Sequence, residues 1–436
     1  MRLRAALLML STLTPALAGA ATPPLAPVRD VVDTYHGVAV HDPYRDLEDL
    51  KLPATQAWMK AQAEHASQTL AGIEGRDALA ARIAQLTQSA GDALGALVRV
   101  TGDRLFYLKR PEGANQFKLM VRDGLAGAER VLVDPEQLAK AQGGVPHAIN
   151  YMVPSWDGRR LAYGVSAGGS EDASLHVIEV ATGRALIEPV PRVQEALVAW
   201  TPDSRALSFN QLRALPADAD PTEFYLDSSV MLLDLAHPKA APRAVYGPLA
   251  RPDLGLQRLD VAGLQFQPGS RFMVARNTDT TVPEGRIDVA PLAELGRRDT
   301  HWRTVVRATD QVTDLLLDGD RLYLRTHQGA PRGRWVVLDL AKGETLAQAR
   351  TAVAEPAQGV LKDLLIDQGR LYAEVSTGFT QRVLAVRPDG VAERDVAPGL
   401  PGSTYAVDHR ARNAGLWLRT MADRKSTRLN SSHGYI

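Results

Sequence analysis

The feature that most constrains this chain is a short phrase that recurs between residues 91 and 421. Each copy combines a turn containing Asp or Gly with a basic residue and then a short apolar strand, which is a hairpin pattern. Six copies are clear, and their basic residues are Arg104, Arg160, Arg205, Arg271, Arg321 and Arg370. A weaker seventh copy spans residues 408–418. The basic residues lie 45 to 66 positions apart, a spacing that fits four-stranded blades of about 40 to 50 residues with one insertion.

A second landmark has the same period. Most copies contain a later strand that ends in a turn, as at residues 175–180 and at residues 335–340. A single four-stranded sheet cannot bury both of its faces, whereas sheets packed face to face in a ring can. We therefore predict an all-β fold, a seven-bladed β-propeller at residues 91–421 whose last blade is incomplete. A two-sheet sandwich is the structural alternative, and the number of similar copies disfavours it.

The chain before the propeller has a different pattern. Residues 23–53 are punctuated by proline, which predicts an extended arm. Across residues 55–88 apolar side chains recur at three- and four-residue steps, as at Leu79, Ile83 and Leu86, and this period is typical of helices. The predicted domain at residues 21–90 is therefore an extended arm followed by short helices.

The first residues have the pattern of an export signal. Arg2 and Arg4 precede an apolar run at residues 5–17, and small residues follow at Ala18 and Ala20. This order of charge, apolar core and small residues predicts a secretory signal peptide at residues 1–20. We expect the signal to be cleaved and the protein to be periplasmic or secreted, with no membrane association afterwards; an uncleaved anchor is the alternative.

Composition excludes several function classes. The chain has no Cys, which excludes disulfides, thiolate metal sites and a cysteine nucleophile. Lys plus Arg equals Asp plus Glu at 50 each, so no net charge favours nucleic acid or an anionic membrane. Neither a His-Glu-x-x-His motif nor an Asp-rich calcium loop occurs, and we expect neither a metal nor a cofactor.

Several short segments resemble one family of enzymes. Their sequences are DTYHG, VHDPYRDLED, QAW, NQF, VDP, PSWDG, GSE and TH with APR, at residues 33–37, 40–49, 56–58, 115–117, 133–135, 154–158, 169–171, 326–327 and 330–332. In this order they are similar to the prolyl oligopeptidase family of serine peptidases. That family normally has Trp where this chain has Asp46, a departure expected to loosen packing of the arm.

The resemblance implies a fold and an activity. Members of that family place a propeller over a separate α/β-hydrolase domain, and the arm packs against the hydrolase domain. A Ser, Asp and His triad in that domain hydrolyses short peptides, often after proline, while the propeller gates substrate access. The triad follows the propeller in such proteins. The resemblance therefore implies an N-terminal fragment of a secreted serine endopeptidase, inactive by itself, without its catalytic domain.

The last residues have an unusual composition. Residues 423–433 resemble a translated sequencing adapter, so we interpret residues 422–436 as a non-native tail; a genuine polar tail is the alternative.

The rival function is a stand-alone periplasmic propeller that binds a partner or peptide. A propeller lactonase or glycosidase would require carboxylates clustered at the channel mouth.

One motif suggests a catalytic serine. Gly164 and Gly168 flank Ser166 in a Gly-x-Ser-x-Gly match. Such a serine acts from a sharp turn between a strand and a helix, where a backbone amide stabilises the oxyanion. Here the match follows one strand and leads into another. We therefore interpret Ser166 as a structural residue, and expect no catalytic, cofactor or metal residue in this chain.

Other polar residues have a structural and a functional interpretation. We expect His36 and His327 to form structural hydrogen bonds. The acidic segment at residues 214–227 could face substrate or a further domain, although a solvated loop is the simpler interpretation. The arginines that open the strands could line a central channel and attract peptide carboxylates, or could be exposed hairpin flanks.

Overall fold

The computed structural model describes residues 22–88, 91–279, 281–399, 402–409 and 415–421. The chain forms two compact units, Met1–Ser89 and Ala90–Ile436. The predicted signal peptide at residues 1–20 and the predicted non-native tail at residues 422–436 lie outside the described residues. None of the helices in the described part combines the length and apolar character that a membrane crossing requires.

The first unit combines a hairpin with two helices. Its elements are β1 (Val31–Tyr35), β2 (Val38–Asp42), α1 (Pro53–Ala71) and α2 (Arg76–Gln88). His36 and Gly37 form the hairpin turn with φ of 49° and 81°, the left-handed conformations that a two-residue turn requires. Pro53 begins α1, where its missing N–H leaves no helical bond unmade. The arm is thus a folded hairpin, whereas the proline pattern predicted only an extended chain.

The second unit is an all-β propeller with one short α-helix, which confirms the predicted fold class. Blade 1 has β3 (Ala93–Val100), β4 (Arg104–Arg110), β5 (Lys118–Asp123) and β6 (Arg130–Val133), followed by α3 (Pro135–Ala141); blade 2 has β7 (His147–Pro154), β8 (Arg160–Ala167) and β9 (Ser174–Glu179); blade 3 has β10 (Val198–Trp200), β11 (Ala206–Gln211), β12 (Ser229–Asp234) and β13 (Arg243–Tyr246). Neighbouring strands within each blade are antiparallel.

The next three blades repeat this plan. Blade 4 has β14 (Asp260–Gln265), β15 (Phe272–Asp279), β16 (Gly285–Pro291) and β17 (Arg303–Val306); blade 5 has β18 (Val312–Asp318), β19 (Arg321–Thr326), β20 (Arg334–Asp339) and β21 (Arg350–Val353); blade 6 has β22 (Val360–Asp367), β23 (Arg370–Thr377), β24 (Thr380–Val386) and β25 (Ala392–Asp395). The six clear phrase copies coincide with the turns between the first and second strands of the six blades. At one of these turns Ser204 takes a φ of 58°.

The described residues contain six blades, and the prediction of seven was wrong. The remaining strands are β26 (Ser403–Ala406), β27 (Asp408–His409) and β28 (Leu418–Met421). β26 pairs with β28 in a two-stranded sheet, whereas β27 pairs in parallel with β3 of blade 1. The weak seventh copy therefore does not form a hairpin of its own, because its first strand adds to the open edge of another blade.

Apolar side chains fill every space between consecutive blades. Separate buried clusters join blades 1 and 2, 2 and 3, 3 and 4, 4 and 5, and 5 and 6. The largest fully buried side chains include Trp200, Trp335 and Phe106. Each sheet thus buries both faces against its neighbours, which is the physical reason for a ring of blades.

The two-stranded sheet of β26 and β28 closes the ring. On one side the backbone N–H of Gln381 in blade 6 donates to Ser403 Oγ at 3.0 Å. On the other side the Arg99 guanidinium of blade 1 lies 4.1 Å from the centre of the Trp417 ring, and Arg419 donates to the carbonyl of Gly95 at 3.3 Å. Blades 6 and 1 are therefore connected through this closing sheet.

The central channel as the candidate functional site

The first strands of blades 3 to 6 surround a central cavity of about 500 Å³. These strands form one edge of each sheet, so that edge, with its backbone polar groups, faces the cavity. The wall combines apolar side chains, such as Leu316 and Leu365, with backbone polar groups and the amides of Gln265 and Gln267. The channel thus offers a mixed polar and apolar surface to a ligand.

A second cavity of about 360 Å³ shares Leu197, Leu264 and Gln265 with the first. Its wall adds charged and polar groups, and these are Glu195, Arg276 and Thr278. The described residues that line the larger cavity are therefore uncharged, whereas the smaller cavity carries both signs of charge.

Two arginines share one carboxylate beside this second cavity. Nη1 of Arg276 lies 3.7 Å from Asp314, and Nη2 of Arg325 lies 3.8 Å from the same carboxylate. Arg276 also donates to the carbonyl of Thr313 at 2.8 Å, and Arg325 to that of Leu361 at 3.2 Å. These two bonds anchor the guanidinium groups to the backbone of blades 5 and 6. No motif in the sequence indicates it, since the three residues come from three separate strands.

A buried acid lies between blade 6 and the closing sheet. Glu374 is 6% exposed, and its Oε1 accepts a hydrogen bond from the backbone N–H of Ala406 at 2.7 Å. Gln381 donates to its other oxygen. Burial raises the pKa of Glu374, and the nearby negative charge of Asp363 raises it further. Sequence reasoning missed this residue, because an isolated Glu in a strand carries no signal of burial.

Another buried acid joins blades 3 and 4. Asp288 is fully buried and accepts hydrogen bonds from the Tyr246 hydroxyl at 2.5 Å and from Nε of Arg286 at 2.9 Å. Burial raises the pKa of Tyr246 far above its usual range, and the Asp288 charge adds to this. Tyr246 therefore remains a neutral hydrogen-bond donor. The group lies within an apolar cluster rather than in the channel, which indicates a structural role.

The structure places Ser166 inside a sheet. It lies in β8, is 4% exposed and pairs with Ala148 of β7. A glycine turn follows, and the chain then enters β9. The first glycine of the motif has a packing role, since a Cβ at Gly164 would lie 2.3 Å from the Tyr151 ring. The strand–turn–helix geometry of a catalytic serine elbow does not occur at Ser166.

The two histidines of the family-like segments differ in their contacts. His36 lies in the exposed turn between β1 and β2. His327 makes a hydrogen bond of 2.7 Å between its Nε2 and Glu284 of blade 4, and this contact lowers the pKa of Glu284. His327 thus links blades 4 and 5, as predicted for a structural hydrogen-bonder.

The acidic segment at residues 214–227 is anchored by arginines. Glu223 accepts from Arg213 at 2.9 Å and pairs with Arg258, which also donates to Asp227 at 2.9 Å. Asp227 is 6% exposed. This end of the insertion is therefore tied to the start of blade 4, whereas Asp218 and Asp220 are exposed.

Three of the strand-opening arginines bind the next blade. Arg104 donates to the carbonyl of Gly158 at 3.1 Å, Arg160 donates to the carbonyl of Ser204, and Arg271 donates to Asp320 at 2.7 Å. Each acceptor lies in the first hairpin turn of the following blade. The side chains of the other three, Arg205, Arg321 and Arg370, are exposed. None of the six lines the cavities of the channel.

Asp46, the departure from the family pattern, pairs with Arg29 through a 2.7 Å bond from Nε, and that bond lowers its pKa. This ion pair ties Asp46 within the arm, where looser packing was expected.

Within the residues that the structure describes, no three carboxylate or imidazole groups come together as metal ligands.

Comparison with known proteins agrees with the geometry. The family model of the prolyl oligopeptidase N-terminal β-propeller domain matches residues 23–429. Prolyl endopeptidases from Elizabethkingia meningoseptica and Elizabethkingia miricola are each 25% identical over 171 residues, which cover 39% of this chain and 23% of each relative. This chain thus aligns with less than a quarter of the length of those relatives.

Solved structures extend the likeness to the whole described fold. A prolyl endopeptidase studied for inter-domain dynamics superimposes with a TM-score of 0.76 and 26% identity, over 91% of this chain and 56% of that one. Prolyl oligopeptidase B from Galerina marginata, bound to a 25-residue macrocyclization substrate, gives a TM-score of 0.75 at 20% identity, over 91% of this chain and 57% of that one; this second likeness concerns the fold alone. With the family model matching nearly the whole chain, the protein belongs to the prolyl oligopeptidase family through its N-terminal β-propeller domain.

Proposed function

We propose that this chain is the propeller part of an exported serine endopeptidase whose intact form hydrolyses short peptides, often after proline. The observation that carries the proposal is the family match across residues 23–429. The chain spans 56% of the solved prolyl endopeptidase that it resembles, and we assign the catalytic serine, aspartate and histidine to the remaining part of such a protein. Hydrolysis there would proceed by acyl transfer through an activated serine.

In this proposal the propeller gates substrate access. The channel cavity of about 500 Å³ lies within the range of volumes that bind small ligands. A folded protein exceeds that volume, whereas a few peptide residues fit within it. Leu316 and Leu365 on its wall suit aliphatic and proline side chains, and the polar groups beside them suit peptide amides, so the channel would favour short peptides over bulky ones.

The proposal also assigns a location. The basic and apolar pattern of residues 1–20 supports export to the periplasm or outside the cell. The absence of Cys is compatible with an oxidising compartment, because no free thiol is exposed to oxidation there.

The experiment is to sequence the native gene beyond the codon for Met421 and to assay its full product on a glycyl-prolyl chromogenic peptide. We expect cleavage after proline, inactivation by a serine-directed phosphonate, and unchanged activity in the Ser166→Ala variant. Residues 22–421 alone should show no cleavage. Loss of activity with Ser166→Ala, or a full product that leaves the peptide intact, would contradict the proposal.

A stand-alone binding propeller is the second candidate. The specific observation in its favour is a channel with two cavities, the smaller of them lined by Glu195 and Arg276, which can bind a ligand without catalysis. A stop codon shortly after Met421, together with peptide binding by the present chain, would favour this candidate over the peptidase.

A further inference from the structure

The smaller cavity of the channel, with its volume of about 360 Å³, has opposite charges on its wall. Glu195 lies on the segment that leads into β10, and Arg276 lies on β15 of the next blade. Both are half-buried. A cavity between two blades thus presents one carboxylate and one guanidinium to the same enclosed space.

The space between the two walls depends on a glycine, which has no side chain to fill it. Gly263 is paired in register with Arg276, and a Cβ at this glycine would lie 3.1 Å from Cβ of Leu197. A larger residue at position 263 would fill the gap between Leu197 and the arginine. The glycine therefore keeps the cavity open beside the charged group.

Neither charge on the wall is fully neutralised within the protein. Among the described residues, Glu195 forms no ion pair with a basic side chain. Arg276 shares the single carboxylate of Asp314 with Arg325 at distances of 3.7 and 3.8 Å. In addition, Nε of Arg325 is buried and has no acceptor in the described part of the chain. The arginine side of the cavity thus carries excess positive charge, and the Glu195 side carries an unpaired negative charge.

We propose that this cavity binds a short zwitterionic peptide, with the peptide carboxylate at Arg276 and the ammonium at Glu195. Thr278 lies on the same wall and adds a hydroxyl beside the arginine. The wall also includes the apolar side chains of Leu197 and Val261, which suit an aliphatic or proline side chain. The ligand class rests on the proposed function, because a peptidase generates short peptides with free termini.

The test is isothermal titration calorimetry of the purified chain with two probes, the dipeptide Ala-Pro and its neutral counterpart N-acetyl-Ala-Pro-amide. Charge-assisted hydrogen bonds at both ends should make Ala-Pro bind about tenfold more tightly. Glu195→Gln and Arg276→Gln should each weaken Ala-Pro binding by about tenfold, whereas Arg276→Lys should retain part of the affinity. The exposed residues Glu188 and Arg350 provide controls, since Glu188→Gln and Arg350→Gln should leave binding unchanged.

Thermal melts of each variant separate lost binding from lost folding. Glu195→Gln is the safer variant, because it breaks no ion pair in the described structure. Equal affinity for the two probes, no binding of Ala-Pro, or folded Glu195 and Arg276 variants that bind like the wild type would each overturn the inference. Post-proline cleavage by the full gene product would still stand in those cases, so the two proposals fail separately.

Discussion

The seam between blades 4 and 5 and the seam that closes the ring are built differently. Between blades 4 and 5, thirteen buried apolar residues form one cluster. Among the described residues, the cluster on blade 1 at the closing seam has three, Leu105, Tyr107 and Met120, with Trp417 packed against them. Hydrogen bonds made by Arg99, Glu374 and Thr404 provide many of the other contacts at this seam. Since apolar burial dominates stability, the closing seam should be the weaker one.

The largest expected effect is at the apolar seam. Leu324 is fully buried in the cluster between blades 4 and 5, so Leu324→Ala should lower the free energy of unfolding by about 3 kcal/mol through lost burial and a new cavity. Urea denaturation followed by tryptophan fluorescence measures this change. An exposed apolar residue, Val391, provides the control as Val391→Ala. Equal losses at both sites would contradict the importance of the apolar seam.

Removing the aromatic ring from the closing seam should lower the free energy of unfolding by less than Leu324→Ala does. Trp417 is half-buried and stacks on Arg99, so Trp417→Ala should lower the free energy of unfolding by about 1 to 2 kcal/mol. The effect should also be local, with amide hydrogen exchange faster in β3 than in β18. A uniform loss of protection across all six blades would show that the ring unfolds as one unit.

A smaller effect, dependent on pH, is expected from Glu374. Because its pKa is raised in the folded protein, the folded state holds this proton more tightly than the unfolded chain does. The free energy of unfolding should therefore fall as the pH rises from the ordinary glutamate pKa, near 4.3, through the raised value.

Glu374→Gln should remove this part of the pH dependence and make the protein more stable than the wild type at neutral pH. Urea midpoints measured from pH 4 to pH 8 test the prediction. Glu393, an exposed glutamate paired with Arg387 at 2.7 Å, provides the matched control as Glu393→Gln. Parallel pH curves for the wild type and Glu374→Gln would refute the role of the buried acid.

The smallest effect should come from an exposed contact between blades. Asp320 accepts from Arg271, whose side chain is 72% exposed, so Asp320→Asn should cost less than about 1 kcal/mol. Salt should shrink this cost further because it screens surface charges. Unfolding curves in low and in 1 M salt measure both quantities, and a large cost that is insensitive to salt would place this contact among the main stabilising ones.

Local patterns explain why the propeller could be predicted from the sequence. The first hairpin turn of a blade requires left-handed backbone, which Gly and Asp adopt readily. These residues are visible in the sequence, as in the Asp-Gly turn at Gly158 and the Gly-Asp turn at Asp103, and both positions have positive φ. The same holds for helices α1 and α2, whose apolar spacing is visible within one segment. The structural role of Ser166 is also visible locally, because a strand follows it where a catalytic serine would need a helix.

The remaining features depend on contacts between distant residues. Pairing of β27 with β3 joins positions more than 300 residues apart, as at Asp408 and Val98, and no local signal specifies such a partner. Arg276, Asp314 and Arg325 beside the smaller cavity come from three strands of two blades. The sequence showed the arginines that open strands, but only the structure shows that Arg276, in the middle of a strand, reaches the channel.

The direction of the arginine contacts has a consequence for synthesis of the protein. Three of these arginines donate to acceptors that lie later in the chain and are therefore synthesised after them; they are Arg104, Arg160 and Arg271. Arg419 is the reverse case, because its acceptor, Gly95, leaves the ribosome 324 residues earlier. Each blade can dock on its predecessor as it emerges, but the nascent ring stays open at blade 1 until almost the entire propeller has been translated.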